Sequence, residues 1–102
     1  MATKLVPAQR LYPGSQVQVT CDFYMNDALT DPSTVTLKTM KPDGTISTYT
    51  WAGGTVTRAA AGQFYRDVTL DAEGLWLFRW ESTGNAAGAD EGEIHVLRSA
   101  FA

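Results

Sequence analysis

The sequence predicts an all-β fold, an antiparallel β-sandwich of seven or eight short strands, and three observations lead there. The segment FYRDVTLDAEGLWLFRW at 64–80 reads as two strands joined by the corner Asp71-Ala-Glu-Gly74. Phe64, Val68 and Leu70 share one parity before that corner, and Trp76, Phe78 and Trp80 share one after it, the period of half-buried strands. Turn signals then recur about every ten residues along the chain. Finally, no segment suits a helix: the alanine run at 59–61 is closed by Gly62, far short of the ~12 residues a marginal helix needs.

Taken in order, residues 1–13 contain Pro7 and Pro13, which remove backbone donors and confine the segment to an edge strand or extended coil. In QVQVTCDFYM, Val17, Val19, Cys21, Phe23 and Met25 alternate with polar neighbours, the cleanest strand pattern in the chain. NDALTDPS at 26–33 collects turn formers and is expected to be a loop at one end of the domain. VTLKTMK follows, with Val35, Leu37 and Thr39 on one face and Thr36, Lys38 and Met40 on the other. Pro42-Asp-Gly44 suits a tight hairpin turn, and ISTYTW forms the return strand. WAGG at 51–54 ends it, a short strand begins at Val56, and the Phe64 strand comes next. STGNAAGADEG at 82–92 is expected to be a long mobile loop before the last strand, EIHVL, with Ile94 and Val96 inward.

With 102 residues the chain fits one domain, large enough to bury roughly 60 to 70% of its unfolded surface without staples. The segments 1–13 and 98–102 are expected to be flexible or ordered by a partner. Net charge is −3 with mixed signs, so the basic surface that nucleic-acid binding requires is missing and no nucleic-acid partner is expected. One cysteine, Cys21, cannot make an intramolecular disulfide, which points to synthesis in a reducing cytosol. Neither an apolar leader nor a window approaching the ~20 apolar residues of a membrane span is visible, so no membrane association is expected.

Residue chemistry offers no catalytic, cofactor or metal constellation. His95, the single histidine, has no orienting partner or nucleophile placed near it by the sequence. Cys21 alternates with Val19 and Phe23 and reads as a small core hydrophobe. Asn26, Asp27 and Asp31, with Asp90 and Glu91, would offer oxygens to calcium if their loops met, but the spacing fits no loop motif, and turn formation explains them more simply. Asp71 and Glu73 sit at a tight corner, where Asp71 is expected to bond backbone amides.

The strand count and turn spacing are those of an immunoglobulin-like or fibronectin-like sandwich. The corner DAEGLWLF resembles the immunoglobulin corner that opens strand F, with Trp76 in the aromatic place, Phe78 at the second cysteine's place and Cys21 near the first. Hydrophobic packing would then replace the disulfide. Nearly the whole chain, through PGSQVQVT, LTDPSTVTLKTMKPDGT, YTW, GQFYRDVTLDAEGLWLFRWESTG and EGEIHV, resembles the small Ig-like proteins encoded among the structural genes of tailed bacteriophages and prophages. That resemblance implies a non-enzymatic virion component, made in the bacterial cytoplasm and placed in the neck, tail or capsid surface. Its partners would be other virion proteins and copies of itself. The alternative is an Ig-like recognition module that binds a carbohydrate or protein through the end loops at 26–33 and 82–92.

If Trp76, Phe78 and Trp80 point inward, Leu75, Leu77 and Arg79 point outward. In an Ig-like sandwich the strands carrying Lys38, Met40, His95 and Leu97 share that sheet, so these residues are expected to form an apolar contact patch with a charged rim. The other reading is scattered surface leucines, or a parity slip at a bulge. Trp51, near a sheet edge with Tyr49, is a further interface candidate, with core burial as the alternative.

Overall fold

In the computed structural model, residues 11–101 and the backbone of residues 2–6 are described. The strands are β1 (Ala2–Val6), β2 (Ser15–Asp22), β3 (Tyr24–Met25), β4 (Ala28–Leu29), β5 (Thr34–Met40), β6 (Ile46–Thr50), β7 (Thr57–Ala60), β8 (Gln63–Leu70), β9 (Gly74–Thr83) and β10 (Gly88–Val96). No helix occurs among the described residues. One four-stranded sheet has the order β1-β2-β8-β7, a second has the order β10-β9-β5-β6, and β3-β4 is a separate hairpin. All strand pairs are antiparallel. Outside the strands, Leu11 makes an isolated parallel bridge to Val96.

The alternating residues read from the sequence form the core. Val17, Val19, Cys21, Phe64, Val68 and Leu70 of the first sheet and Val35, Leu37, Trp76, Phe78, Trp80, Ile94 and Val96 of the second belong to one buried cluster. Each fully buried aliphatic or Phe side chain adds about 1.5–3 kcal/mol of apolar transfer free energy. Phe23 joins the layers edge-on: its ring centroid lies 5.6 Å from Phe64 on one sheet and 6.4 Å from Trp80 on the other. Such T-shaped contacts match ring edge to ring face.

Three local expectations are corrected. The alternation of β2 does not continue to Met25, which is exposed, because the chain folds at Asn26-Asp27 into the β3-β4 hairpin. Both turn residues have positive φ, 52° and 64°, the conformation that a two-residue primed turn demands and that Asn and Asp tolerate. The segment 82–92 is mostly strand, and only residues 84–87 connect β9 to β10. Small and acidic residues there cover an edge strand with little buried face, so no periodic signal marks it. Asp71 does not bond backbone amides; its carboxylate accepts from Lys41 Nζ at 3.0 Å.

Two other expectations hold. Pro42-Asp-Gly44 makes the tight β5-β6 turn, closed by Lys41 N donating to Thr45 O at 2.9 Å. The alanine run forms β7 and its turn into β8, without a helix. Pro7 lies outside the described residues, and Pro13 departs from the edge strand or extended coil expected of it, sitting instead in the turn closed by Ser15 N donating to Tyr12 O at 3.0 Å.

Candidate functional site

The outward residues of β9 follow from its inward ones. With Trp76, Phe78 and Trp80 buried, Leu75 and Leu77 stand 46% and 39% exposed on the opposite face, and Arg79 and Glu81 continue that parity. Strand register then fixes their neighbours. Leu77 pairs with Met40 on β5, and Met40 pairs with Ile46 on β6. On the other side Leu77 pairs with Glu93, and Leu75 with His95. The result is an apolar row, Leu77-Met40-Ile46, crossing three strands, with Leu75 above it.

The next row is charged. Arg79 pairs in register with Lys38 and with Glu91. Its Nε donates to Glu81 Oε2 at 2.6 Å and its NH1 to Glu91 Oε2 at 2.9 Å, while Lys38 Nζ donates to Glu81 Oε2 at 3.4 Å. The hydrogen bond from Arg79 holds the Glu81 carboxyl below its ordinary range, against a smaller opposing effect of burial. The paired glutamates in turn raise Arg79, Glu81 more than Glu91. Beside this network lies an open depression of about 230 Å³ whose lining includes Met40, Ile46, Leu77 and the aliphatic stems of Lys38 and Arg79.

The opposite sheet behaves differently. Its outward residues Gln16, Gln18, Asp67 and Thr69 are exposed and polar, and Thr20 and Asp22 are half-buried. Among the described residues, the large exposed apolar side chains include Leu75, Leu77 and Ile46 on the outward face of the second sheet and Tyr24, Met25 and Leu29 on the β3-β4 hairpin.

The residues singled out from the sequence divide accordingly. Leu75, Leu77, Arg79, Met40, Lys38 and His95 share the outward face of the second sheet. Leu97 is half-buried just beyond β10, its N–H bonded to Leu11 O at 2.8 Å. Trp51 is not on this face. It packs half-buried against the core, its ring edge-on to Phe64 at 4.9 Å, which is the burial alternative. Ile46, 57% exposed, was not anticipated, although the tight turn at 42–44 predicts its pairing with Met40.

The acidic loop residues are engaged in structure. Asp31 accepts from Arg58 Nε at 3.0 Å and from Gly62 N at 2.7 Å, and these bonds, Arg58 first, lower its pKa. Among the described residues no cluster of three or more His, Cys, Asp or Glu side chains is placed to hold a metal ion. Cys21 is a buried thiol within the core cluster. What the second sheet displays outward is a row of apolar side chains beside a charged row in which Lys38 and Arg79 pair with Glu81 and Glu91. Comparison with family models, with curated proteins and with solved structures finds no match.

Proposed function

We propose that the chain is an immunoglobulin-like β-sandwich that serves, without catalysis, as a structural or assembly protein of a tailed-phage virion, in the neck, the tail or on the capsid surface. It works by docking the outward face of the β10-β9-β5-β6 sheet on neighbouring virion proteins. The strand orders support the Ig-like reading, since β1-β2-β8-β7 and β10-β9-β5-β6 correspond to A-B-E-D and to G-F-C with one further strand. The corner before β9 supports it too: Trp76, two residues before Phe78, donates its indole N–H to the carbonyl of Ala72 at 2.9 Å, as the aromatic residue of an Ig corner bonds upstream backbone.

The observation that carries the functional reading is the row in which exposed Leu77 and Ile46 flank half-buried Met40 on an otherwise well-formed sheet. A soluble monomer gains nothing from placing large apolar side chains together on one face, whereas a docking surface loses them from water on contact. In an assembly with many copies, modest contacts of this kind add through avidity.

Co-expressed with the gene products that flank it, Leu77→Asp should remain folded by circular dichroism and be lost from purified particles or sub-assemblies. Normal incorporation of this variant would overturn the reading.

A second reading has one observation in its favour. The β3-β4 hairpin displays Tyr24, Met25 and Leu29, 44%, 43% and 39% exposed, at the end of the domain where a recognition module would hold a carbohydrate or protein. Ligand-dependent thermal stabilisation, abolished by Tyr24→Ala and untouched by Leu77→Asp, would favour it.

A further inference from the structure

We infer that the occupant of the β10-β9-β5-β6 face is a segment of another protein that presents a large apolar side chain and, beside it, a lysine or arginine; the inference rests on reading this face as a contact surface. Charge argues for the cation. Outward on these strands, among the described residues, stand three carboxylates, Glu81, Glu91 and Glu93, against two cations, Lys38 and Arg79, with His95 counted neutral. Lys38 and Arg79 are taken up by Glu81 and Glu91 at 2.6 to 3.4 Å. Glu93 is exposed and makes no hydrogen bond or ion pair to any described residue. The face therefore keeps one negative charge in excess, and its place is fixed, because Glu93 is the register partner of Leu77.

That pairing couples the charge to the apolar row. Register partners on one sheet face have Cβ atoms ~4.5–5.5 Å apart, so whatever covers Leu77 also takes water from Glu93. A wholly apolar partner would leave that carboxylate desolvated without a bond, and an acidic one would add repulsion. A cation answers both, and its attraction to Glu93 strengthens as water is excluded. A second copy docked by the same face brings the same excess of negative charge and is disfavoured on the same ground.

Shape argues for the apolar anchor. The open depression of about 230 Å³ beside the row is lined by Met40, Ile46, Leu77 and the stems of Lys38 and Arg79. An apolar cavity of ~150 Å³ already holds a benzene ring, so this one has room for a leucine, methionine or phenylalanine side chain. Glu91 and Gly92 of β10 also line it, which puts Glu93 next along that strand. One short segment can therefore seat its anchor in the depression and set a cation over Glu93. An apolar anchor in a pocket with charges at its rim is the usual anatomy of a specific interface.

Methyl and carboxyl NMR of the purified chain tests this with two short peptides, one alternating leucine with lysine and the other leucine with glutamate. The lysine peptide should shift the Leu75 and Leu77 methyl signals and the Glu93 carboxyl signal, and the glutamate peptide should bind at least tenfold more weakly. Glu93→Lys, which stays folded because the side chain is exposed, should raise the Kd of the lysine peptide about tenfold or more, and Glu93→Gln should raise it less. Asp67→Lys on the opposite sheet makes the same change of net charge and should leave that Kd unaltered. Equal binding of both peptides, no shift on this face, or equal effects of Glu93→Lys and Asp67→Lys would overturn the inference. So would shielding of the Leu77 methyls by a second copy as the peptide-free chain is concentrated. Loss of Leu77→Asp from particles together with indifference to peptide charge would overturn only the cationic partner. Lysine-peptide binding on this face by a chain whose Leu77→Asp variant enters particles normally would sustain the inference and remove the virion-docking reading.

Discussion

The indole Nε1 of Trp76 donates a hydrogen bond of 2.9 Å to the carbonyl oxygen of Ala72, four residues earlier, and so ties the start of β9 to the corner that precedes it. Lys41 reinforces the same place, lying 5.8 Å from the Trp76 ring centroid and bonding Asp71 at 3.0 Å. Trp80, on the same face of β9, differs: its indole N–H is buried and finds no partner among the described residues. Replacing each by Phe removes similar volume, but only Trp76→Phe also strips a carbonyl of its donor. Trp76→Phe is therefore expected to cost about 1 kcal/mol more than Trp80→Phe. Urea midpoints at unchanged m-value read the difference, and equal costs would refute the role given to the corner bond.

Gly62 closes the β7-β8 turn with φ at 71°, and its backbone is wedged against the base of the β3-β4 hairpin. A Cβ there would lie 2.7 Å from Thr30 N and 2.8 Å from Phe23 O, the two atoms that bond to each other at 2.9 Å. Gly54 has a similar φ of 77° but open space around it. Gly54→Ala should thus cost only the conformational penalty, about 1 kcal/mol, whereas Gly62→Ala adds a backbone collision and should cost more than about 2 kcal/mol. Thermal unfolding of both variants measures the gap, and similar melting temperatures would contradict it.

How far these relationships could be read beforehand depends on burial. β2, β5, β8 and β9 each bury one face, so Val17, Leu37, Phe64 and Trp76 announce their orientation through period-two alternation. β10 is an edge strand, and from Gly88 to Glu93 its side chains are exposed or only half-buried, which leaves no pattern to distinguish it from a loop. Met25 misleads in the opposite sense, because an apolar residue at the right parity extends the pattern past a fold that only Asn26-Asp27 marks. The outward apolar face of β9 was partly legible, since inward Trp76 and Phe78 force Leu75 and Leu77 outward. Ile46 and the carboxylates of Glu81 and Glu91 were not, because their places depend on cross-strand register rather than on parity within one strand.

That register makes Arg79 the hinge of the charged row, bonded to Glu81 at 2.6 Å and to Glu91 at 2.9 Å. The Glu81 carboxyl is depressed below its ordinary value of 4.5, first by the hydrogen bond from Arg79 and then, with less weight, by Lys38. A carboxylate depressed in the folded state stabilises the fold above its unfolded pKa, and that contribution fades as pH falls through the lower folded value. Arg79→Met removes the largest cause and leaves Lys38 at 3.4 Å. Glu81 should then titrate higher than in the parent protein, because burial, which opposes the depression, outweighs the hydrogen bond from Lys38, and the loss of stability on acidification beneath 4.5 should become shallower. The loss at neutral pH should be small and should shrink further in added salt, because the arginine and both glutamates remain partly open to solvent. Carboxyl carbon NMR titration of Glu81 in both proteins reads the shift directly. An unmoved Glu81 would mean that Lys38, not Arg79, sets its ionisation.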